Sequence, residues 1–154
     1  MTSPNPIPDA PAPAGRSCRC REVGLLLVRL PYGLFFLLAG LGKIRGGVGN
    51  FVSHASGMTP SWLPVSLGHA YLHALPFVEL ISGAMIIAGL FTRVIGVVQA
   101  LMLISFMIAA GIKPPSGPFH YNFVFLGIAL MLALVGPGKL SLDALLFKQK
   151  RVIQ

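Results

Sequence analysis

Four long apolar runs, separated by polar or Gly- and Pro-rich stretches, constrain what this chain can fold into. They cover about residues 23–42, 70–91, 94–112 and 121–136. A helix of about 20 apolar residues crosses the roughly 30 Å of hydrocarbon in a bilayer. The runs lack the apolar/polar alternation of membrane β-strands. The sequence therefore predicts an all-α membrane protein, a four-transmembrane-helix bundle in contact with the lipid bilayer.

The charged residues are too few to cover a soluble surface. Only 10% of the 154 residues are charged, whereas soluble domains carry roughly a quarter. The net charge of +8 comes mostly from cations at the ends of apolar runs, where topology and lipid headgroups favour them. No basic stripe interleaves with aromatic residues, so we predict no nucleic-acid partner.

The chain divides into three parts. Residues 1–22 begin with a Pro-rich stretch that buries nothing and predicts a disordered cytoplasmic tail. This start has no apolar core of a signal peptide. Residues 23–146 form the predicted transmembrane domain, and residues 147–154 form a basic cytoplasmic tail.

The connections between the runs differ in character. The stretch 44–69 is long, and its apolar residues predict an anchor at the membrane interface: Phe51, Val52, Trp62 and Leu63. A turn at Thr92 and Arg93 makes the second and third runs antiparallel neighbours, and 113–118 is a firm helix break. The segment 136–138 ends the last run, and Ser141 with Asp143 predicts the cap of a short helix.

The basic residues outside the runs predict the orientation. The side that holds both termini carries Arg16, Arg19, Arg21, Arg93, Lys139, Lys148, Lys150 and Arg151, whereas the other side carries Lys43, Arg45 and Lys113. Cytoplasmic loops carry the excess of Lys and Arg. Both termini are therefore expected in the cytoplasm, and the protein in the inner (plasma) membrane.

Arg29 and Glu79 are the candidate functional residues. An ionisable group deep in hydrocarbon costs roughly 2.5–3.5 kcal/mol and seeks a partner inside the bundle. Measured from the ends of the predicted runs, the two charges are offset by only about 9 Å along the bundle, which predicts an ion pair between them. Two interpretations remain open: a site that handles protons or quinone, and a buried pair that only fixes the register of two helices.

Small and polar residues predict how the helices pack. Gly33 and Gly83 each lie four residues after a charge and permit close approach of the first two helices. Two small-xxx-small pairs predict packing seams in the third and fourth helices: Gly96 with Ala100 and Ala129 with Ala133. Gln99 and Asn122 are expected to form hydrogen bonds between helices.

The histidines and cysteines are weaker candidates. His69 and His73 are spaced i, i+4, which can hold a metal or haem if His120 or His54 adds a ligand, but the spacing is short and common, and interfacial or capping roles are favoured. We predict no metal site. Cys18 and Cys20 complete no tetrahedral site and read as two unconnected thiols, with metal binding or acylation as alternatives.

Several stretches together resemble the DoxX family of small bacterial membrane proteins. The first run carries Arg29-Leu-Pro-Tyr-Gly33 and then Phe36, Gly40 and Lys43 in the family's order. Further matches are Phe51 to Pro60 with Gly57, Pro76-x-x-Glu79-x-x-x-Gly83, Gly89-Leu-Phe-Thr92-Arg93, and Gly136-Pro-Gly-Lys-Leu-Ser141-Leu-Asp143. The resemblance covers about 23–146. It implies a four-helix membrane bundle linked to respiratory or redox physiology, including subunits of thiosulfate:quinone oxidoreduction and oxidative-stress complexes.

The function expected from this resemblance is a membrane subunit or accessory of a quinone-linked redox complex. Arg29 would orient a quinone oxygen, and Glu79 would exchange protons. The alternatives are a non-catalytic scaffold that recruits soluble redox partners and a small transporter, which would need homo-oligomerisation to enclose a path. No signature of a soluble enzyme is present, and there is no cysteine pair at membrane depth for thiol redox chemistry.

Overall fold

The computed structural model describes residues 16–109, 118–144 and 146, and every regular element among them is a helix. The elements are α1 (Arg16–Arg45), α2 (Val48–Ala55), a single 3₁₀ turn (Ser56–Met58), α3 (Val65–Ala88), α4 (Thr92–Ala109) and α5 (Pro118–Val135). We call the end of the bundle that holds α2 the α2 end. The opposite end, at the connection from α3 to α4, is the turn end.

Within the ranges whose side chains the structure describes, three helices are long and apolar enough to cross a membrane: Cys20–Arg45, Val65–Ala88 and Thr92–Ala109. The described part of α5, Tyr121–Val135, is a shorter apolar helix. Large apolar side chains face outward, such as Leu101 at 63% and Leu134 at 80% exposure, whereas Glu79 and Gln99 are buried. A surface of this kind needs lipid around it, because water disfavours large apolar patches. The protein is therefore an all-α integral membrane protein.

Helices α1 and α3 pack so closely that their backbones are in contact. A Cβ on Gly40 would lie 2.6 Å from both the Pro76 carbonyl oxygen and the Leu80 nitrogen, and a Cβ on Gly83 would lie 2.7 Å from the Gly33 carbonyl oxygen. No real Cβ fits at such distances. The close approach expected from Gly33 and Gly83 is confirmed, and Gly40 extends it towards the α2 end.

Helices α4 and α5 form a second close pair. A Cβ on Gly96 would lie 2.9 Å from the Ala129 carbonyl oxygen and from the Ala133 nitrogen. The packing seam predicted from these small residues is confirmed. Tyr32 and Phe36 of α1 meet Phe125 of α5 edge to face, with ring centroids 5.8 Å apart in each case, so the core closes around aromatic rings.

The turn end contains a tight connection that lies earlier in the chain than predicted. Gly89 ends α3 with φ of 69°, donating to the Ile86 carbonyl at 3.1 Å, while Leu90 donates to the Met85 carbonyl at 2.9 Å. This is the glycine-dependent end of a helix in which left-handed backbone satisfies the last carbonyls. The turn is therefore 89–91, and Thr92 and Arg93 already belong to α4.

Several predicted boundaries were wrong. Helix α1 begins at Arg16, so residues 16–22, predicted as part of the disordered tail, are helical. The helix extends because nothing between Arg16 and the apolar run breaks it. The predicted connection 44–69 contains α2 and the first turn of α3, because Val52 is buried and gives α2 an apolar side to pack. The stretch 1–15, the break at 113–117 and the basic tail 147–154 lie outside the described residues.

Candidate functional site

Glu79 lies in the middle of α3 on the side that faces α1. Pro76 and Gly83 share this side, three residues before and four residues after it. The close contact of α1 with both residues leaves the Glu79 side chain only 2% exposed. A carboxylate at such a position requires a hydrogen-bonded cation nearby.

The cation that Glu79 meets is Lys43. The Lys43 Nζ atom lies 2.5 Å from both carboxylate oxygens of Glu79, and its side chain is 26% exposed. Lys43 also lies over the ring of Phe51 in α2, with Nζ 5.2 Å from the ring centroid, a cation–π contact. The pair is therefore held by α1, α2 and α3 together.

The predicted ion pair between Arg29 and Glu79 was wrong, because the register of α1 on α3 differs from the one assumed. Gly33 lies opposite Gly83 and Gly40 lies opposite Pro76 and Leu80, so Arg29 lies beside Gly89 at the turn end. Residues 16–28 of α1 extend beyond the turn that ends α3. Arg29 therefore lies level with the end of α3 and not with its middle, where Glu79 is. Lys43 was assigned to the membrane surface, but its position three residues after Gly40 brings it to the α3 side.

Arg29 instead binds the segment that follows α5, residues 136–144, which we call the closing segment. Its Nη1 donates to the Pro137 carbonyl at 2.5 Å and its Nη2 donates to the Leu140 carbonyl at 2.9 Å, and the side chain is 2% exposed. Guanidinium presents its donors in a planar fork that suits two carbonyls at once. Arg29 thus has a structural role in these contacts.

The closing segment also holds the turn between α3 and α4. The Asp143 carboxylate accepts hydrogen bonds from the backbone N–H groups of Phe91 at 3.0 Å and Thr92 at 3.3 Å, at the start of α4. The predicted local cap is present as well, because Ser141 Oγ accepts from the Ala144 N–H at 3.1 Å. Two features require a glycine at position 89. Its φ of 69° is left-handed, and a Cβ there would lie 2.7 Å from Arg29 Nη1.

A cavity of about 560 Å³ adjoins the Lys43–Glu79 pair at the α2 end. Lys43, Phe51, Leu72 and Leu75 line its inner part, and residues of the connection 58–63, of α3, of α4 and of α5 complete the wall. Its volume lies within the range of small-molecule pockets, about 300–1,000 Å³. The cavity was not foreseen from sequence, because its walls come from every part of the bundle except the turn end.

Few polar groups reach this cavity. Tyr71 of α3 and Ser105 of α4 form a hydrogen bond to each other in the wall, and Asn122 of α5 contributes an amide. A lysine ammonium has three N–H donors, of which two are directed to the Glu79 oxygens. The remaining Lys43 donor can serve an acceptor in the cavity.

A second buried polar contact links α3 and α4. Gln99 Nε2 donates to Ser82 Oγ at 3.1 Å, and Ser82 Oγ donates to the Glu79 carbonyl at 3.3 Å. The interhelical hydrogen bond expected of Gln99 is confirmed. Gln99 Oε1 and Tyr32 OH are buried and have no hydrogen-bond partner among the described residues.

The histidines do not converge in the part of the chain whose side chains are described. His69 and His73 are exposed on α3, and His54 is exposed on α2, where its Nδ1 lies 3.1 Å from the Asn50 carbonyl oxygen. No group of three His, Cys, Asp or Glu among the described side chains could hold a metal ion. The side chains of His120 and Cys18 lie outside the described residues, and Cys20 is a free, exposed thiol.

Comparison with known proteins identifies the relatives of this chain. The DoxX family profile matches residues 24–115. A protein of Bacillus subtilis (strain 168) named "Putative oxidoreductase CatD" is 36% identical over 131 residues, 84% of this chain and 92% of that protein. The "Inner membrane protein YqjF" of Escherichia coli (strain K12) is 30% identical over 138 residues, 85% of this chain and 98% of that protein. No solved structure matches significantly.

Proposed function

This chain belongs to the DoxX family, and we propose that it is a membrane subunit or accessory of a quinone-linked redox complex. The cavity beside Lys43 and Glu79 is the proposed binding place of the quinone head. The oxidoreductase name of the Bacillus relative supports a redox role. The electrons would come from partner subunits of the complex.

The single observation that carries the proposal is the contact of Lys43 with the buried Glu79 carboxylate at the inner end of an apolar cavity. Pockets of this kind, mostly apolar with a few convergent polar groups, are the usual sites of small ligands. A quinone has an apolar ring and carbonyl oxygens, which match the apolar wall and the remaining Lys43 donor. The cavity therefore offers a place for the quinone ring to bind, and the Lys43–Glu79 pair offers groups able to exchange protons with it.

The two residues have distinct proposed roles. Lys43 donates a hydrogen bond to a carbonyl oxygen of the bound ring and orients it. Glu79 holds the ammonium in place. When the ring is reduced by electrons from a partner subunit, Lys43 gives it a proton, and the Lys43–Glu79 pair takes a replacement proton from water on the exposed side of Lys43. A bound quinone would supply the electron-accepting chemistry, which takes up protons together with electrons. Arg29, bound to the closing segment, has no part in this site.

We also propose four membrane spans with both termini in the cytoplasm. Helix α5 has 18 residues, which is about 27 Å at 1.5 Å per residue and close to the bilayer thickness. The α2 end carries Lys43 and Arg45 in the described residues, and Lys43 is neutralised by Glu79. The turn end carries more Lys and Arg residues: Arg16, Arg19, Arg21, Arg93 and Lys139. Because cytoplasmic loops carry the excess of Lys and Arg, the turn end is expected to face the cytoplasm.

The only tryptophan of the chain tests the proposal directly. Trp62 lines the cavity, and a quinone ring in contact with an indole quenches its fluorescence. Titration of the purified protein with a short-chain ubiquinone analogue should give saturable quenching. Glu79→Gln should weaken the binding about tenfold or more, because the loss of a charged hydrogen-bond partner frees Lys43 from its position.

Ser66→Ala is the matched control, because Ser66 is exposed on the same helix outside the cavity. It should bind quinone as the parent chain does. Saturable quenching that Glu79→Gln leaves unchanged would remove Glu79 from the site. Quenching that never saturates, with a folded protein, would contradict quinone binding and favour the non-catalytic scaffold.

A further inference from the structure

The outward part of the cavity wall is both apolar and exposed. Four apolar residues line the cavity and also face away from the protein: Met58 at 62%, Trp62 at 72%, Leu67 at 59% and Ile108 at 48% exposure. They come from the connection before α3, from α3 itself and from α4. We call these four residues the mouth of the cavity. Such a surface in water would be an unfavourable apolar patch, so these residues belong in lipid.

The inner part of the cavity has the opposite exposure. Leu72 and Leu75 are 7% and 4% exposed, and next to them Lys43 meets Glu79. Exposure therefore falls from the mouth to the ion pair along α3, from Leu67 to Leu75. A ligand that follows this gradient has its polar end at Lys43 and its apolar end at the mouth.

The charge at the inner end selects among polar heads. Lys43 and Glu79 neutralise each other, with both Glu79 oxygens at 2.5 Å from the ammonium. An anionic head would have to share the single Lys43 ammonium with the Glu79 carboxylate, which has no other cation within hydrogen-bond reach among the described residues, and the two like charges would repel each other. A neutral head that only accepts a hydrogen bond leaves the pair intact.

From these observations we infer that the cavity is filled from the lipid and takes neutral amphiphiles with a long apolar tail. The tail lies across the mouth and continues into the surrounding acyl chains, between α3 and the connection before it. This inference rests on the proposed function, and it specifies which quinones the site takes and by which route. Water-soluble and anionic ligands are excluded from this route.

The test compares two ubiquinone analogues with the same head, one without a tail and one with a decyl tail. The protein is reconstituted in phosphatidylcholine nanodiscs, and affinities are expressed as mole fractions in the bilayer, which removes the effect of partitioning. Leu67→Phe narrows the mouth. It should slow association of the decyl analogue about tenfold and leave the association rate of the tail-less analogue unchanged, because a head without a tail does not need the route through the lipid.

Leu101→Phe is the control, because Leu101 is equally a leucine exposed to lipid but lies on α4 outside the cavity. It should leave both analogues unaffected. Palmitate, an anionic amphiphile, should not compete with the decyl analogue. In nanodiscs with brominated acyl chains, Trp62 should be quenched before any analogue is added.

The outcomes distinguish failure of the proposed entry through the mouth from failure of the proposed quinone-linked function. Saturable binding of both analogues that Leu67→Phe leaves unchanged would overturn access through the mouth while keeping the proposed function. Absence of binding by both analogues to a folded protein would overturn the proposed function. Absence of Trp62 quenching by brominated lipid would overturn a lipid-facing mouth, whatever the quinones do.

Discussion

Lys43 and Glu79 stabilise each other's charge inside an apolar bundle. Each alone would cost several kcal/mol to remove from water, and together they share a hydrogen-bonded contact. Their position at the inner end of a cavity, rather than in close-packed core, means that a third polar group can join them. This is the property that distinguishes a binding site from an internal brace.

Removal of one partner is therefore expected to cost far more than removal of both. Lys43→Met should lower the free energy of unfolding by about 3–5 kcal/mol, because Glu79 remains buried without a cation. The double variant Lys43→Met with Glu79→Leu should recover most of this loss. Unfolding in mixed micelles, followed by Trp62 fluorescence, measures both. Equal stability of the single variant and the parent would show that Glu79 is solvated.

Arg29 is expected to affect stability and not ligand binding. Arg29→Met removes hydrogen bonds to the carbonyls of Pro137 and Leu140, and each bond to a charged group contributes roughly 1.5–3 kcal/mol. Arg29→Lys should recover only part of the loss, because an ammonium cannot reproduce the planar fork. Quinone affinity of both variants should equal that of the parent. A stable Arg29→Lys protein without quinone binding would contradict the structural role.

At the scale of helices, the contact between α1 and α3 sets the geometry of the site. Gly40 is in contact with backbone atoms of Pro76 and Leu80, whereas nothing lies within 4 Å of a Cβ at Gly42 in the same turn of α1. The two glycines therefore differ in function although they are two residues apart.

Gly40→Ala should separate α1 from α3, lowering stability by about 1–3 kcal/mol and weakening the Lys43–Glu79 contact and quinone binding together. Gly42→Ala is the control and should be neutral or stabilising by up to about 1 kcal/mol, because alanine favours a helix over glycine. Thermal unfolding and the Trp62 titration are the measurements. Equal behaviour of the two variants would argue against close packing at Gly40.

The helices themselves and their packing seams could be predicted, because they depend on local spacing. Long apolar runs predict helices in lipid, and Gly33, Gly83, Gly96 and Ala129 lie at intervals that predict close contacts. The pairing of Glu79 with Lys43 could not be predicted in this way. It depends on how far α1 extends past the turn, and hydropathy defines only where a helix is apolar, not which residues of two helices lie side by side.

Of the ion pair, only Glu79 could be singled out from the sequence. Glu79 is recognisable as a lone carboxylate in an apolar run, but Lys43 at the end of such a run resembles the many lysines that extend to the membrane surface. Its register three residues after Gly40 was the available signal. The cavity has no sequence signature, since it lies between elements that are distant along the chain.

For the whole molecule, the orientation in the membrane remains to be measured. Cys20 is exposed near the turn end, so in a Cys18→Ser variant a membrane-impermeant maleimide should label it only after the cells are permeabilised. In a variant without native cysteines, Ser61→Cys, exposed in the connection before α3, should be labelled in intact cells. Labelling of both positions from the same side would contradict the proposed topology.

The contacts of Arg29 also impose an order on biogenesis. The guanidinium belongs to α1, and its two carbonyl acceptors follow 108 and 111 residues later. Until translation reaches Leu140, this cation lacks its two acceptors and must stay hydrated or paired with lipid phosphate. Helix α1 therefore cannot reach its final position in the membrane before then. Synthesis of the closing segment is thus the event that fixes α1 in its final position.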